Sequence, residues 1–237
     1  MTRMDSPTAA DQDWQGYWGR KQKSSNKVYD VLADIYRTLI LKRFLTYFVS
    51  NYLEKGGKAL HAGCGSGNVD TDIRAFLDVT ALDLSSNALN IYRGLHGRES
   101  KLVEGNILHL PFPAESFDVF YNLGVFEHFD ETEIQAILKE GKRVLRPNGR
   151  MLVFWPPTFG FTVFILDTAH FVLNRIFRLG VQLHPPEITR IRSRKHAIET
   201  FEKAGFRVLK YYFGVKDFFT QVVIVATRPD PTRESSM

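Results

Sequence analysis

The sequence predicts an α/β fold: a doubly wound, mostly parallel sheet of seven strands, with an antiparallel last strand and a helical cap. Three observations carry that expectation. Short apolar runs alternate with helical patterns from Lys58 onward, a glycine series at Gly63, Gly65 and Gly67 follows the first of those runs, and the last two runs are joined by a connection too short for a crossover helix. At 237 residues the chain has the length for one such domain with a full core and an appended cap; two independent domains would fit tightly.

The elements follow in order. Residues 1–56 are an N-terminal helical cap segment. Within it Val28, Leu32, Ile35, Leu39, Ile40, Phe44, Phe48 and Tyr52 recur at three- and four-residue steps, which predicts an amphipathic helix over 27–53, stopped by "EKGGK". Residues 57–156 are the core: "KALHA", a helix over 69–76, "VTALDL", a helix over 87–95, "KLVEG", "FDVFYNL", a helix over 131–145, and "GRMLVFW". In "RPNG", Pro147 ends a helix and Gly149 supplies a permissive backbone, so a turn is expected there. Residues 157–193 are an aromatic and basic insertion. Residues 194–229 return to a helix (195–204) and a strand pair that completes the core, and 230–237 read as a polar, disordered tail.

Composition sets the class. With 44% hydrophobic and 24% charged residues the chain is an ordinary soluble globular protein, rich in Phe at 19 residues. The first residues, "MTRMDSPTAADQD", carry acids and no apolar core, so no secretory signal or membrane anchor is expected there and the default location is cytoplasmic. Cys64 is the only cysteine, which leaves no internal disulfide and no site built from several thiolates; no metal is predicted, and Cys64 is expected to pack as a small apolar residue. The net charge of +5 is uneven: residues 51–156 carry −3, whereas 1–50 carry +3 and 157–196 carry +4. Basic flanks of this size fit either a solvated surface or an anionic partner.

In a doubly wound sheet a ligand sits outside the carboxyl ends of the strands, where strand order reverses. Gly63, Gly65 and Gly67 occupy the first βα turn, where a backbone without Cβ atoms can approach a ligand. Asp83, at the end of the second strand, is sixteen residues past Gly67 and can accept both hydroxyls of a ribose. Helix capping is the alternative role for Asp83, but Ser85 and Ser86 are better placed for it. A nicotinamide dinucleotide is disfavoured because its loop reads Gly-x-Gly-x-x-Gly, whereas this one reads Gly-x-Gly-x-Gly.

The run 58–155 resembles the class I S-adenosylmethionine-dependent methyltransferases, and among them the small-molecule, methyltransferase type 11-like group. The resemblance rests on "LHAGCGSGN", "ALDLSSNAL", "VEGNILHLPFPAESFDVFYNLGVFEHF" and "LKEGKRVLRPNGRMLVFWPP", in that order. It implies a Rossmann-like core with S-adenosyl-L-methionine as cofactor. Gly63, Gly65 and Gly67 would border its methionine and ribose, Asp83 would hold the ribose diol, and Leu84 and Ile107 would sandwich the adenine. Asn106 would accept from the adenine amino group in place of the usual aspartate, and the main chain at Asn122 and Leu123 would face the methionine amino group. The departure is His61, where the family has an acid. With the remaining motifs intact it reads as a tolerated variation, and restoring an acid there is expected to tighten cofactor binding or leave it unchanged.

An activated methyl group needs an aligned nucleophile and exclusion of water more than it needs a catalytic motif. For a hydroxyl acceptor, Glu127 and His128 in "GVFEHF" offer a general base at the rim of the crevice, unless they only cap the next helix. The same "FEHF" resembles the cyclopropane fatty-acid synthases, a second enzyme class, although their cofactor loop is missing here. After the fourth strand stands "NLGV" rather than the Asn/Asp-Pro-Pro-aromatic signature of DNA amino-methyltransferases, so no nucleic-acid substrate is expected. Substrate choice falls to "DWQGYWGRKQK" and the insertion 158–192, which carries Phe159, Phe161, Phe164, Phe171 and Phe177 with Arg175 and Arg178, interrupted by Asp167. That insertion suits a lid over an apolar, lipid-like substrate, a helix resting on a membrane surface, or a cap packed on its own core. The expected activity is methyl transfer to a small molecule; the competing class is a catalytically silent binding protein of the same fold. Oligomeric state is not encoded in any of these features.

Overall fold

In the computed structural model the described residues are 13–23, 36–160, 163, 164, 168, 171, 175 and 187–230. Seven strands form one sheet: β1 (Lys58–Ala62), β2 (Asp78–Asp83), β3 (Lys101–Glu104), β4 (Phe117–Leu123), β5 (Leu145–Trp155), β6 (Arg207–Tyr212) and β7 (Val222–Thr227), in the order β3-β2-β1-β4-β5-β7-β6. The first five are parallel, and β7 runs antiparallel between β5 and β6. From β1 the chain steps outward through β2 and β3, then returns to β4 on the other side. The crevice for a ligand therefore opens at the carboxyl ends of β1 and β4.

Alternation along each strand sends side chains to two cores. On one face Ala59, Val79, Val119, Tyr121, Phe154, Val223 and Val225 pack under α2 (Lys42–Tyr52). That helix buries Phe44, Leu45, Phe48 and Val49, a stripe at one- and four-residue steps, and Phe44 meets Phe154 and Tyr212 edge-on at 5.5 and 5.4 Å. Each such ring removed from water contributes about 1.5–3 kcal/mol, which anchors α2 more firmly than its own helix propensity could. The other face packs Leu60, Phe120, Met151, Val153 and Ile224 against α5 (Glu131–Val144) and α6 (Arg194–Lys203). A Cβ at Gly141 of α5 would stand 2.3 Å from the terminal methyl of Met151, so glycine leaves room for that side chain between helix and strand.

The two sequence phrases that span 110–150 are tied together physically. Glu140 on α5 accepts from the Leu110 N–H at 2.9 Å, while Arg143 pairs with Glu140 and donates to the Leu110 and Phe112 carbonyls at 3.0 and 2.8 Å. "LPFPAESF" is thereby clamped to "KEGKRV".

Three expectations change. Of the helix expected over 27–53, residues 27–35 lie outside the described ones; Tyr36–Leu41 form a π-helical turn that leads into α2. The helix expected over 69–76 is a single turn, α3 (Asp70–Ile73), because Asp70 turns into the core to meet buried partners. "RPNG" lies within β5 as a bulge: Phe117 pairs with Leu145, and the register resumes at Val119 with Arg150. Asn148 there takes φ 62°, and the backbone of Asn148 and Gly149 exchanges hydrogen bonds with Arg228 at 3.0 Å, which continues the ladder beside β7. Among the described residues no helix is long and apolar enough to cross a membrane. Of the insertion, Phe161, Asp167, Phe177 and Arg178 lie outside the described residues, as does 231–237 of the tail.

Candidate functional site

The carboxyl end of β1 enters the glycine loop, and all three glycines lie at positive φ, 74° at Gly63, 53° at Gly65 and 69° at Gly67. Space is as decisive as angle. A Cβ at Gly67 would stand 2.2 Å from the Tyr92 ring, and one at Gly63 would stand 2.7 Å from Val125 on the loop after β4. The loops after β1 and β4 thus pack directly on each other.

Asp83 ends β2 and is buried. Its Oδ2 accepts the Gly65 N–H at 2.8 Å and its Oδ1 the Ser85 N–H at 2.9 Å. Burial raises its pKa, and these two backbone donors offset part of that shift. A carboxylate has about four lone-pair sites, so two remain for a ligand's hydroxyls. Ser85 caps α4 (Ser86–His96), accepting from the Ala88 N–H at 3.3 Å, so Asp83 is not needed as the cap. Leu84 is exposed beside Asp83, and Ile107 is buried on the loop after the neighbouring β3. The Asn106 Oδ1 accepts the Leu108 N–H at 2.9 Å, closing its own turn and leaving one lone pair. Cys64 is buried, and burial together with Asp83 and Asp70 pushes its thiol well up, so it stays protonated.

His61 is not a bystander. Its Nδ1 lies 2.8 Å from Asp70 Oδ2, and its ring stacks on Tyr121 at 4.4 Å. Asp70 also accepts from the Tyr92 and Tyr121 hydroxyls at 2.8 and 2.9 Å. Burial alone would raise the Asp70 pKa, but His61 and the two phenols outweigh it and hold the carboxyl below its ordinary value. An acid therefore still stands behind the glycine loop, delivered by α3 instead of β1.

At the end of β4, Asn122 is wholly buried, and neither atom of its amide has a hydrogen-bond partner. Just beyond, the Glu127 carboxyl is buried with Oε2 unpartnered, while its Oε1 would lie 3.2 Å from a Cβ on Gly124. Burial, helped by Glu187, raises the Glu127 pKa to about 8, so it is protonated at neutral pH. The Glu127 carbonyl accepts the N–H groups of Ile188 and Thr189 at 2.6 and 3.0 Å, which fastens the end of the insertion to this site. His128 is buried with its ring 4.9 Å from Trp14, edge to face. Asp130 caps α5 with a capping box completed by Glu133, so helix capping is not the work of Glu127 or His128.

Helix α1 (Trp14–Lys23) lies across this ground. Gln15 exchanges hydrogen bonds with Ser85, Ser86 and Asn87 at 3.0 Å, the Trp18 ring covers Gly65 where a Cβ would stand 2.7 Å from it, and Trp14 reaches His128. The structure thus gathers His61, the three glycines, Asp83, Asn122, Leu123, Glu127 and His128 along one edge, with Leu84, Asn106 and Ile107 on the flanking loops. Sequence reasoning missed Asp70, Gln15 and the individual roles of Trp14 and Trp18. The spacing of Trp14 and Trp18, four apart on one helical face, was the available signal.

An orphaned buried amide, a loop that any Cβ would obstruct and a carboxylate with spare lone pairs fit an adenosine-type sulfonium cofactor. A family profile described as "Methyltransferase domain" matches residues 60–153. The sterol 24-C-methyltransferase of Aspergillus fumigatus is 29% identical over 167 residues, covering 66% of this chain and 41% of that protein. The demethylmenaquinone methyltransferase of Geobacillus stearothermophilus is 29% identical over 185 residues, covering 69% of this chain and 77% of that one. The chain thus spans less than half the length of the fungal relative. Among solved structures, a Burkholderia thailandensis 1,6-didemethyltoxoflavin N1-methyltransferase with bound S-adenosylhomocysteine superposes with a TM-score of 0.64 at 17% identity, covering 96% of this chain and 94% of that one, which shows the shared fold.

Proposed function

With residues 60–153 matching a methyltransferase-domain profile, we propose that the chain is a class I S-adenosylmethionine-dependent methyltransferase that methylates a small acceptor with an apolar, lipid-like body. The observation that carries this reading is the carboxyl end of β4, where Asn122, Glu127 and His128 are buried together beside the glycine loop and under Trp14. The similar proteins named for sterol and demethylmenaquinone methylation support an apolar acceptor.

When bound, S-adenosylmethionine supplies a methyl group already activated by its sulfonium. The protein's work is then placement. Asp83 holds the ribose diol, Leu84 and Ile107 flank the adenine, the remaining lone pair of Asn106 accepts from the adenine amino group, and the backbone of Gly63, Gly65, Gly67, Asn122 and Leu123 lines the methionine end. Glu127, protonated below about pH 8, offers a hydrogen-bond donor and no charge, which suits an apolar acceptor. His128 takes the proton of an acceptor hydroxyl as the new bond forms.

A second reading, cyclopropane-synthase-like modification of a lipid alkene, is favoured by the buried Glu127–His128 pair. The two differ in product: an acceptor carrying one added methyl group in one case, a cyclopropane ring across a former double bond in the other. The test is incubation with methyl-labelled cofactor and apolar hydroxyl or quinol acceptors, with S-adenosylhomocysteine quantified. Labelled product is expected, and His128→Ala should lower turnover about 10²–10⁴-fold with cofactor affinity unchanged. Cofactor binding without turnover on any acceptor would favour a silent binding protein. No cofactor binding by calorimetry would overturn the proposal altogether.

A further inference from the structure

The turn between β6 and β7 holds two consecutive phenylalanines in the left-handed region, Phe218 at φ 57° and Phe219 at 58°. Bulky residues rarely adopt this conformation, which glycine or asparagine takes easily. The turn is not slack. The Phe219 N–H donates to the Gly214 carbonyl at 3.0 Å, and the inward-facing Asp217 accepts from the Thr220 hydroxyl and the Gln221 N–H at 2.9 and 2.7 Å. A strained backbone fixed by its surroundings is the mark of a position kept for its side chain. Val215 is 71% and Phe218 64% exposed here.

Neighbouring elements extend the apolar ground. The Phe213 ring bridges Phe219 at 5.3 Å and the exposed Phe159 at 5.1 Å. On the other side Lys216 lies over the Tyr47 ring at 4.1 Å, and Tyr47 continues a four-residue stripe with Arg43 and Leu39, all exposed. Among the described residues the exposed charges on this ground, Arg43 and Lys216, are positive. Asp217 is turned inward, and Asp72, beside α2, is paired with Lys42 at 3.0 Å. Because Val222, the first residue of β7, pairs with Trp155, the last of β5, the turn lies at the same edge of the sheet as the crevice.

We propose that this edge docks on an anionic phospholipid bilayer, with Val215, Phe218 and Phe219 inserted among the lipids and Arg43 and Lys216 against the headgroups. Apolar side chains interleaved with cations, with no exposed unpaired acid among the described residues of the patch, match such a surface, and they match an uncharged protein groove less well. The inference rests on the proposed apolar acceptor for its purpose, since a bilayer would hold that acceptor at the crevice, but vesicle binding is measured without cofactor or acceptor.

The experiment is flotation of the full chain with phosphatidylcholine vesicles, with and without phosphatidylglycerol. Binding to the anionic vesicles, lost at high salt, is expected. Phe218→Asn with Phe219→Asn should reduce it by about tenfold or more, because two rings leave the lipid, while the thermal midpoint stays unchanged or rises because asparagine tolerates this backbone. Lys216→Glu should weaken binding to anionic vesicles. Leu95→Ser, on α4 toward the other end of the sheet, should change nothing. Failure to float with anionic vesicles, or binding indifferent to the paired asparagine change in a folded protein, would overturn the proposal. Vesicle binding without methyl transfer on any acceptor would leave it standing and remove the proposed function instead.

Discussion

His61 and Asp70, from adjacent elements, share one proton-bearing contact, and the two tyrosines that donate to Asp70 come from β4 and α4. Substituting acid for His61, which looks restorative from the motif alone, would place a second carboxylate against a buried one. His61→Asp is therefore expected to destabilise the fold by about 3–5 kcal/mol, the usual cost of an uncompensated buried charge, and to lower the thermal midpoint by roughly 10 °C. His61→Asn, which can still donate to Asp70, should cost clearly less. A His61→Asp protein as stable as the parent would show that the pair is dispensable. Glu127 sets a different pH dependence. Its folded pKa of about 8 lies above the ordinary 4.5, so the stability gained by burying the neutral acid is complete below about pH 4.5 and is lost as pH rises through about 8. Thermal melts should find Glu127→Gln close to the parent near pH 5 and more stable by a few kcal/mol near pH 9. Parallel melting curves across that range would contradict the buried, protonated state.

At the scale of elements, α1 is a strap rather than part of a core. It is fastened by Gln15 to the start of α4 and covers Gly65 and His128 with two indoles. A ligand in the crevice must alter the surroundings of Trp14 and Trp18, whereas Trp155 is sealed between the sheet and α6. Adding S-adenosylhomocysteine should change the tryptophan emission, and the paired change Trp14→Phe with Trp18→Phe should abolish that response while calorimetry still detects binding. An unchanged emission spectrum at saturation would separate α1 from the site. The order of strands and helices was legible because alternation and helical periodicity are local signals. The strap was not, because its partners lie tens of residues away and the spacing of Trp14 and Trp18 marks a face without saying what that face covers. Asp70 was hidden for the same reason: in "GNVDTD" it looks like a surface acid, and only the pairing of β1 with β4 brings His61 and Tyr121 to it. "RPNG" misled differently, since proline and glycine mark an irregular backbone without saying whether a strand continues past it.

For the whole molecule, topology divides the labour. Every proposed cofactor residue lies at the carboxyl ends of β1 to β4 or on the loops that follow them, all in the parallel part of the sheet, whereas the apolar turn belongs to the antiparallel pair β6–β7. Ligand binding and surface docking should therefore be thermodynamically separable. A ligand that binds only the folded chain stabilises it by RT ln(1 + [L]/Kd), about 2.7 kcal/mol at a hundredfold excess over Kd. For a chain of this size that is a rise of roughly 5–10 °C in the thermal midpoint. Adding S-adenosylhomocysteine at that excess should produce such a rise. Asp83→Asn keeps the shape and one accepting oxygen but removes the charge, so an affinity loss of about tenfold is expected, which at the same ligand concentration trims the rise by about 1.4 kcal/mol, or roughly 3–5 °C. Phe218→Asn with Phe219→Asn should keep the full rise, because the turn joins β6 and β7, at the far side of the sheet from β1 and β2, which carry the glycine loop and Asp83. If the turn variant lost the ligand-induced shift as Asp83→Asn does, the two halves of the sheet would be coupled, and the separation of cofactor crevice from docking edge would fail.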